Sequence, residues 1–313
     1  MRNAFSDVIY EMAQTDPKIC VLVADISPAG SMEKFRERFP ERFINTGVAE
    51  QSMIGIAAGL ALKGMRPFCY TIATFSLYRP FEMIRVDLAY QNLPVTVIGM
   101  GAGVIYSTLG GTHHAMEDIA VASAVPNMTV VAPCDPAEMR LMTRWCATQS
   151  SGPVYMRLGK VGEPDLTSSS IDPFIAGKIR YLVRGTDLAI LTYGNTAAMA
   201  MAIATKLGAL GISTSVISVH TLKPLDISGI ALILKSHMHN VVIEEHVPHG
   251  GLSSRVKEIA WDIQLKNQIH VFTLKDEFIH SYGEYSDLLA SHGLGAITIL
   301  ETLSSIRFKP SSN

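Results

Sequence analysis

The chain has little that could staple or anchor it from outside. Its four cysteines, Cys20, Cys69, Cys134 and Cys146, are scattered with no close pair among 313 residues. That spacing excludes a short zinc motif or a secreted disulfide framework and predicts reduced thiols in a cytoplasmic protein. Charged residues make up only 17% and the formal net charge is -2, too even a balance for a nucleic-acid binder that works by neutralising phosphates. Long apolar runs are missing too. The most apolar stretch, residues 53 to 62, falls short of the roughly 18 to 20 residues that cross a bilayer. The amino-terminal "MRNAFSDVIYEMAQTD" has helical spacing at Phe5, Val8, Ile9 and Met12 with acids interleaved, which is neither a signal peptide nor a membrane span. There is no P-loop, no nucleophile elbow and no Ser/His/Asp frame, and Gly99, Gly101 and Gly103 read GxGxG, which fails as a dinucleotide fingerprint. Chemistry on such a chain would belong to a cofactor.

What is present is a hydrophobic fraction of 48%, enough to bury substantial cores. Short β-rich runs, "ICVLVAD", "RPFCYTIA", "PVTVIGMG", "MTVVAP" and "PVYMRLG", alternate with helical patterns at 3–15, 51–63, 80–91, 116–124 and 136–149. Alternation of this kind predicts a parallel sheet covered by helices, and strands apolar throughout predict burial of both sheet faces. Pro80 and Pro136 fall where a first helical turn tolerates proline. Between Lys160 and Gly185 the pattern lapses into prolines, a serine run and one short β-like segment, which reads as a linker. It resumes with "DLAILTYG", helix 196–209, "STSVISV", helix 226–236, "NVVIEE", helix 251–264 and "QIHVFTL". The expectation is an α/β protein of two domains, each a mostly parallel sheet flanked by helices, spanning 1–160 and 186–313 with a linker at 161–185.

Several side chains have both an ordinary and a functional reading. Glu50 precedes an uncharged run; an acid in a first helical turn is favoured by the macrodipole alone, but one backed by apolar residues is poorly solvated and suited to hold a proton. Phe75, Tyr78 and Phe81 repeat every three residues in "TFSLYRPF"; such stripes are commonly core, yet loops at the carboxyl ends of parallel strands bind ligands. His113 and His114 stand on the glycine-rich "GGTHH", either hydrogen-bonded locally or moving protons near neutral pH. Arg157 and Lys160 close the first domain, as surface charge or as an anion clamp. His237, His239, His246 and His249 fall within thirteen residues but match no short metal motif, so they read as solvated or strand-end histidines.

Taken in order, "FINTGVAEQSMIGIAAGLAL", "TFSLYRPF", "GGTHHAMEDIA" and "TLKPLD...EEHVPHGGLSS" resemble the carboxyl-terminal half of transketolases, and the resemblance covers essentially the whole chain. It implies a pyrimidine-binding (Pyr) domain of thiamine-diphosphate enzymes followed by the transketolase C-terminal domain. The acid at Glu50 would hydrogen-bond N1′ of the aminopyrimidine and favour the imino tautomer that removes the thiazolium C2 proton. A two-carbon unit would then pass from a ketose to an aldose. Phe75, Tyr78 and Phe81 match the aromatic positions around the aminopyrimidine, His113 matches a histidine that contacts donor hydroxyls, and His114 is an adjacent candidate. Asp25, in "DISPAG", and Lys160 match substrate-binding positions, Lys160 as a point charge in place of a phosphate-binding arginine.

The departures carry information as well. Leu109 replaces the aspartate four residues before the histidine, and Ala29 replaces a phosphate-binding serine, so ordinary pentose-phosphate specificity is not implied. The family's "GDG" metal motif is absent from this sequence. The resemblance therefore implies a split enzyme: thiamine diphosphate bound with Mg2+ (or Ca2+) that is ligated mainly by a separate diphosphate-binding subunit, a heterotetramer with self-association of this chain, and sugar or sugar-phosphate substrates. The alternatives are the β subunit of a 2-oxoacid dehydrogenase decarboxylating component, which "GGTHH" disfavours, and a non-catalytic scaffolding subunit.

Overall fold

The computed structural model describes residues 1–25, 30–160, 162–168 and 172–306. The first half runs α1 (Arg2–Ala13), β1 (Ile19–Val23), α2 (Glu33–Arg38), β2 (Phe43–Asn45), α3 (Glu50–Leu62), β3 (Arg66–Ile72), α4 (Ala73–Leu77), α5 (Phe81–Met83) continuing as a π-helix over Ile84–Tyr90, β4 (Thr96–Met100), α6 (Asp118–Ala124), β5 (Thr129–Val131), α7 (Pro136–Thr148) and β6 (Val154–Leu158). The second runs β7 (Arg180–Val183), β8 (Leu188–Thr192), α8 (Thr196–Ala209), β9 (Thr214–Ser218), β10 (Thr221–Lys223), α9 (Ile227–Ser236), β11 (His239–Ile243), α10 (Leu252–Asp262), β12 (Gln268–Phe272), α11 (Tyr285–Ser291) and α12 (Ala296–Ser304).

These elements build two domains, each a mostly parallel sheet flanked by helices, as the alternating pattern predicts. The first sheet has the order β10-β5-β6-β4-β3-β1-β2 and the second β12-β11-β8-β9-β7. Among the strands of the described residues only β10 against β5 and β7 against β9 pair antiparallel. Strands β1, β4, β6, β8, β9 and β11 are buried along their whole length, because helices cover both faces and leave no solvated side. From β1 the chain steps out to β2, then returns past β1 to β3 and β4. The point of reversal between β1 and β3 is where an open parallel sheet leaves a crevice at its carboxyl edge.

The two sheets are not independent units. Strand β10 belongs to the second half of the chain but completes the first sheet, with Thr221 opposite Val131. An apolar cluster runs continuously from Leu22 and Ala57 through Val130 to Leu191, Ile217 and Ile230. The segment between the sheets is held by the helix caps at its two ends. Asp135 caps α7 by accepting from the Glu138 N–H, and its other oxygen accepts from the N–H groups of Leu166 and Thr167. Asp226 caps α9 through Gly229 and accepts from the Ile179 N–H. An aspartate at an N-cap has lone pairs to spare, and here they hold backbone on either side of the stretch that leads into β7 (Arg180–Val183).

All four cysteines are free and buried. Burial pushes the Cys20 thiol up to about 12, so it is a poor nucleophile at neutral pH. Among the described residues no helix is long and apolar enough to cross a membrane.

Burial also lowers the pKa of six histidines, His113, His114, His220, His239, His270 and His292. The native state then binds fewer protons than the unfolded chain, so stability is retained above the ordinary histidine value and is lost as pH falls through it. His220 offers a clean test: it is fully buried, stacked on Phe174 with centroids 4.8 Å apart, and bonded to Thr221. Glu245, whose carboxyl burial pushes up, acts in the opposite direction, so the measurement is a difference between variants. His220→Phe keeps the ring and removes the titration. Urea unfolding should show wild type losing stability relative to that variant between about pH 7.5 and about pH 5.5; a pH-independent difference would refute the assignment.

Candidate active site

Every candidate in the first domain leaves the carboxyl edge of its sheet. Asp25 follows β1, Glu50 follows β2, Phe75, Tyr78 and Phe81 follow β3, His113 and His114 follow β4, and Lys160 follows β6. Parallel strands therefore deliver residues far apart in sequence to one rim.

Glu50 is buried because of helical phase. It opens α3, and the buried positions of that helix are Glu50, Met53, Ile54, Ala57, Ala58 and Ala61, the i, i+3, i+4, i+7 stripe that faces the core. The helix thus carries its acid inward with the apolar side chains, leaving it 5% exposed. The carboxyl is not alone. Arg79 Nη1 donates to its Oε1 at 3.0 Å, and the same guanidinium lies 4.4 Å from the Phe75 ring centroid. Arg79 is half-exposed, so one cation closes the solvent side of both the acid and the ring.

His113 meets this group from the β4 loop. Its ring stands edge-on to Phe75, with centroids 5.2 Å apart, and edge-on to Tyr106 at 5.9 Å. Thr112 Oγ1 is 2.9 Å from His113 Nδ1, and Thr74 at the start of α4 donates to the Thr112 carbonyl, binding the loop to the helix that carries Phe75. Burial lowers the His113 pKa, so the neutral imidazole prevails at neutral pH and can accept a proton. Lys160 Nζ lies 5.2 Å from the Tyr106 centroid, a cation–π contact that ties an exposed ammonium to the ring that also meets the histidine. Glu50, Arg79, Phe75, His113, Tyr106 and Lys160 form one chain of contacts.

Other candidates stand apart from it. Tyr78 packs on Ala73, Ala102 and Ala115, and both Tyr78 and Phe81 pack against the cluster that contains Ala57 and Leu77. Phe75 packs instead against the cluster that contains Phe5 and Tyr70, and of the three it is the one in ring contact with His113. His114 turns inward: its Nε2 is 3.2 Å from the Tyr106 carbonyl and its Nδ1 is buried without a hydrogen-bond partner. Burial, with the nearby His113 and His292, lowers its pKa against the pull of that carbonyl. Asp25 is exposed at a positive φ of 61°, its N–H donating to Asn45 Oδ1. Ala29 lies outside the described residues. Leu109 is 48% exposed on the His113 loop.

Arg157 needs correcting, because it is neither surface charge nor an anion clamp. It is 4% exposed and paired to the fully buried Asp118 at 3.0 Å. Of the two readings for the four clustered histidines, strand-end fits better than solvated, since His239 opens β11 and His237 and His246 flank it. His237 and His246 are buried and hydrogen-bonded, His239 stacks on His270, and His249 alone of the four is exposed, beside Asp276. Among the described residues no group of three or more His, Cys, Asp or Glu side chains could hold a metal. Arg79 and Tyr106 are contributors that sequence reasoning missed. The local signal for each was weak, an arginine inside the aromatic stripe and a tyrosine in the glycine-rich loop.

The donor set can be matched to a thiamine-type cofactor on this geometry. A water-shielded carboxyl, an aromatic ring beside it and a neutral imidazole suit the uncharged pyrimidine end of such a group.

Comparison with known proteins points the same way. Residues 1–161 match the family described as transketolase, pyrimidine binding domain, and residues 177–299 match transketolase, C-terminal domain. One of the subunits of the apulose-4-phosphate transketolase of Phocaeicola vulgatus is 32% identical over 96% of this chain and 95% of its own. The 6-deoxy-6-sulfo-D-fructose transketolase subunit SqwH of Clostridium sp. MSTE9 is 36% identical over 82% of this chain and 80% of its own. A solved structure described as a split gene transketolase, inactive β4 tetramer, superposes with a TM-score of 0.85 at 35% identity, covering 97% of this chain and 96% of that one.

Proposed function

The chain belongs to the transketolase family, among the C-terminal subunits of split transketolases, and from that footing we propose that it moves a two-carbon ketol unit from a ketose or ketose phosphate to an aldose or aldose phosphate once joined to a diphosphate-binding subunit. The observation that carries this is the buried Glu50 carboxyl linked through Arg79 to Phe75 and His113. Thiamine diphosphate, when bound, supplies the acidic carbon at which ketose carbon–carbon bonds are broken and remade.

This chain's own contribution is proton placement and orientation. Glu50, shielded from water, orients the pyrimidine ring through a hydrogen bond to a ring nitrogen, while Phe75 packs on the ring face, with Tyr78 and Phe81 shaping the wall behind. His113, with Nδ1 tied to Thr112, presents Nε2 to the donor's hydroxyl groups and takes or returns a proton there. His114 supports it from the interior, and Asp25 stands across the rim to receive a sugar hydroxyl. Lys160 offers a point charge to a terminal anion. The two relatives are named for sugars that carry a phosphate and a sulfo group, and an ammonium accommodates either.

The diphosphate and its Mg2+ or Ca2+ fall to the partner subunit, with a heterotetramer as the working assembly in the cytoplasm. The related β4 tetramer is described as inactive, which fits a chain that needs a second subunit. To test this, the chain is purified alone and with a family diphosphate-binding subunit and offered ketose and aldose phosphates. The pair should transfer ketol units and the single chain should not. Transfer by the single chain, or 2-oxoacid decarboxylation by the pair without sugar transfer, would refute the proposal.

A further inference from the structure

One acid that follows a strand of the second sheet reaches the loop that follows β4 of the first. Glu245 follows β11 and is 1% exposed. Its Oε1 accepts from the Val104 N–H at 2.6 Å, and its Oε2 accepts from the Tyr285 hydroxyl at 2.9 Å. Val104 lies at the base of the β4 loop that carries His113. That base is closed by a two-residue antiparallel bridge, in which Gly103 and Ala115 each donate to the other at 2.9 Å. Ala115 is two residues from His113, so whatever holds the bridge sets where the imidazole stands.

The grip is specific in shape as well as in bonding. Gly103 has a φ of 70°, and a Cβ there would overlap the Glu245 carboxyl, so that carboxyl fits where it does because position 103 has no side chain. Glu245 is fixed from behind too. Its backbone carbonyl accepts from Arg157 Nη2 at 2.9 Å, and Arg157 is itself paired with Asp118. The loop tip is met by the same domain at Gly110, which packs against Tyr282.

We infer that Glu245 is a positioning residue: the second domain, through this carboxylate on the Val104 N–H, sets the reach of His113 into the site. The inference rests on the transferase reading for its catalytic consequence, but its structural part can be tested without turnover. Glu245→Ala should leave thiamine diphosphate affinity unchanged while raising the donor KM and lowering kcat together by about 10- to 100-fold, the scale expected when a group is misplaced by about an ångström. Glu245→Gln, which retains an acceptor for Val104, should restore most of the loss. Tyr285→Phe, a milder change that frees the second oxygen, should fall between them and serves if Glu245→Ala does not fold.

In the single chain, hydrogen exchange at the amides of Gly103, Val104 and Ala115 should accelerate at least about tenfold in Glu245→Ala, with strand β4 unchanged. Histidine NMR should show the His113 titration moving up toward its ordinary value as the loop loosens. Loop exchange and His113 titration that match wild type would overturn the inference. Altered exchange with no sugar transfer even from the wild-type pair would sustain the loop grip and sink the transferase reading, so the two failures are distinguishable.

Discussion

Glu50→Gln in the reconstituted pair is expected to lower sugar transfer by about 10²- to 10⁴-fold, the range associated with losing one positioned acid–base group, while the protein folds as before. Glutamine fills the same volume at the head of α3, so the packing of Met53, Ile54 and Ala57 behind it is undisturbed. What disappears is a group that can carry a proton. The ion pair to Arg79 also disappears, but Arg79 is half-exposed, and pairs screened by solvent on one side are worth about 0–1 kcal/mol. A loss of that size changes the folded fraction of a stable domain negligibly, so the fall in rate would not report unfolding. Arg79→Gln provides the control. It removes the same ion pair and the contact on Phe75 while keeping the carboxyl, and should cost far less activity. Steady-state transfer rates alongside urea unfolding of each variant decide the matter; a Glu50→Gln enzyme working at the wild-type rate would eliminate the carboxyl from the mechanism.

The parts of this molecule legible in the sequence are those that depend on local pattern. Strands buried on both faces must be apolar throughout, so "ICVLVAD" and "PVTVIGMG" announced β1 and β4. Helix α3 was legible for the same reason, and its phase carried Glu50 to the core side. The missing information concerns pairing. Strand β10 is the three residues Thr221–Lys223, too short to show a period, and nothing local tells that it leaves its own domain to pair with β5. Arg157 and Asp118 lie 39 positions apart and Val104 and Glu245 lie 141 apart; a buried bond between distant residues leaves no periodic trace. Arg157 looked like surface charge because arginine usually is. The aromatic triplet shows the limit of spacing: a repeat of three gives a shared face only in a continuous helix, and α4 ends at Leu77 before α5 begins at Phe81, so Phe75 separates from Tyr78 and Phe81.

Arg157→Leu should be the most damaging single change to stability, at about 3–5 kcal/mol, the cost of removing one partner from a buried ion pair. Asp118 is fully buried, with Oδ2 accepting from Arg157 Nε at 3.0 Å and from the Tyr155 hydroxyl at 2.8 Å. Its Oδ1 already has no hydrogen-bond partner. Burial disfavours the Arg157 charge, but the carboxylates of Asp118 and Glu245 offset this and hold the guanidinium protonated. Leucine would leave a carboxylate in the interior with one neutral donor, and it would also strip the Glu245 carbonyl of its bond to Arg157 Nη2. The damage should therefore reach the second domain. Adding Asp118→Asn to Arg157→Leu removes the stranded charge and should recover a substantial part of the loss, because the penalty lies in the uncompensated ion more than in the missing attraction. Urea unfolding of wild type, both single variants and the double variant closes the cycle. A loss below about 1 kcal/mol for Arg157→Leu would mean the pair behaves like a solvated one, and would also remove the support behind Glu245 on which the placement of His113 depends.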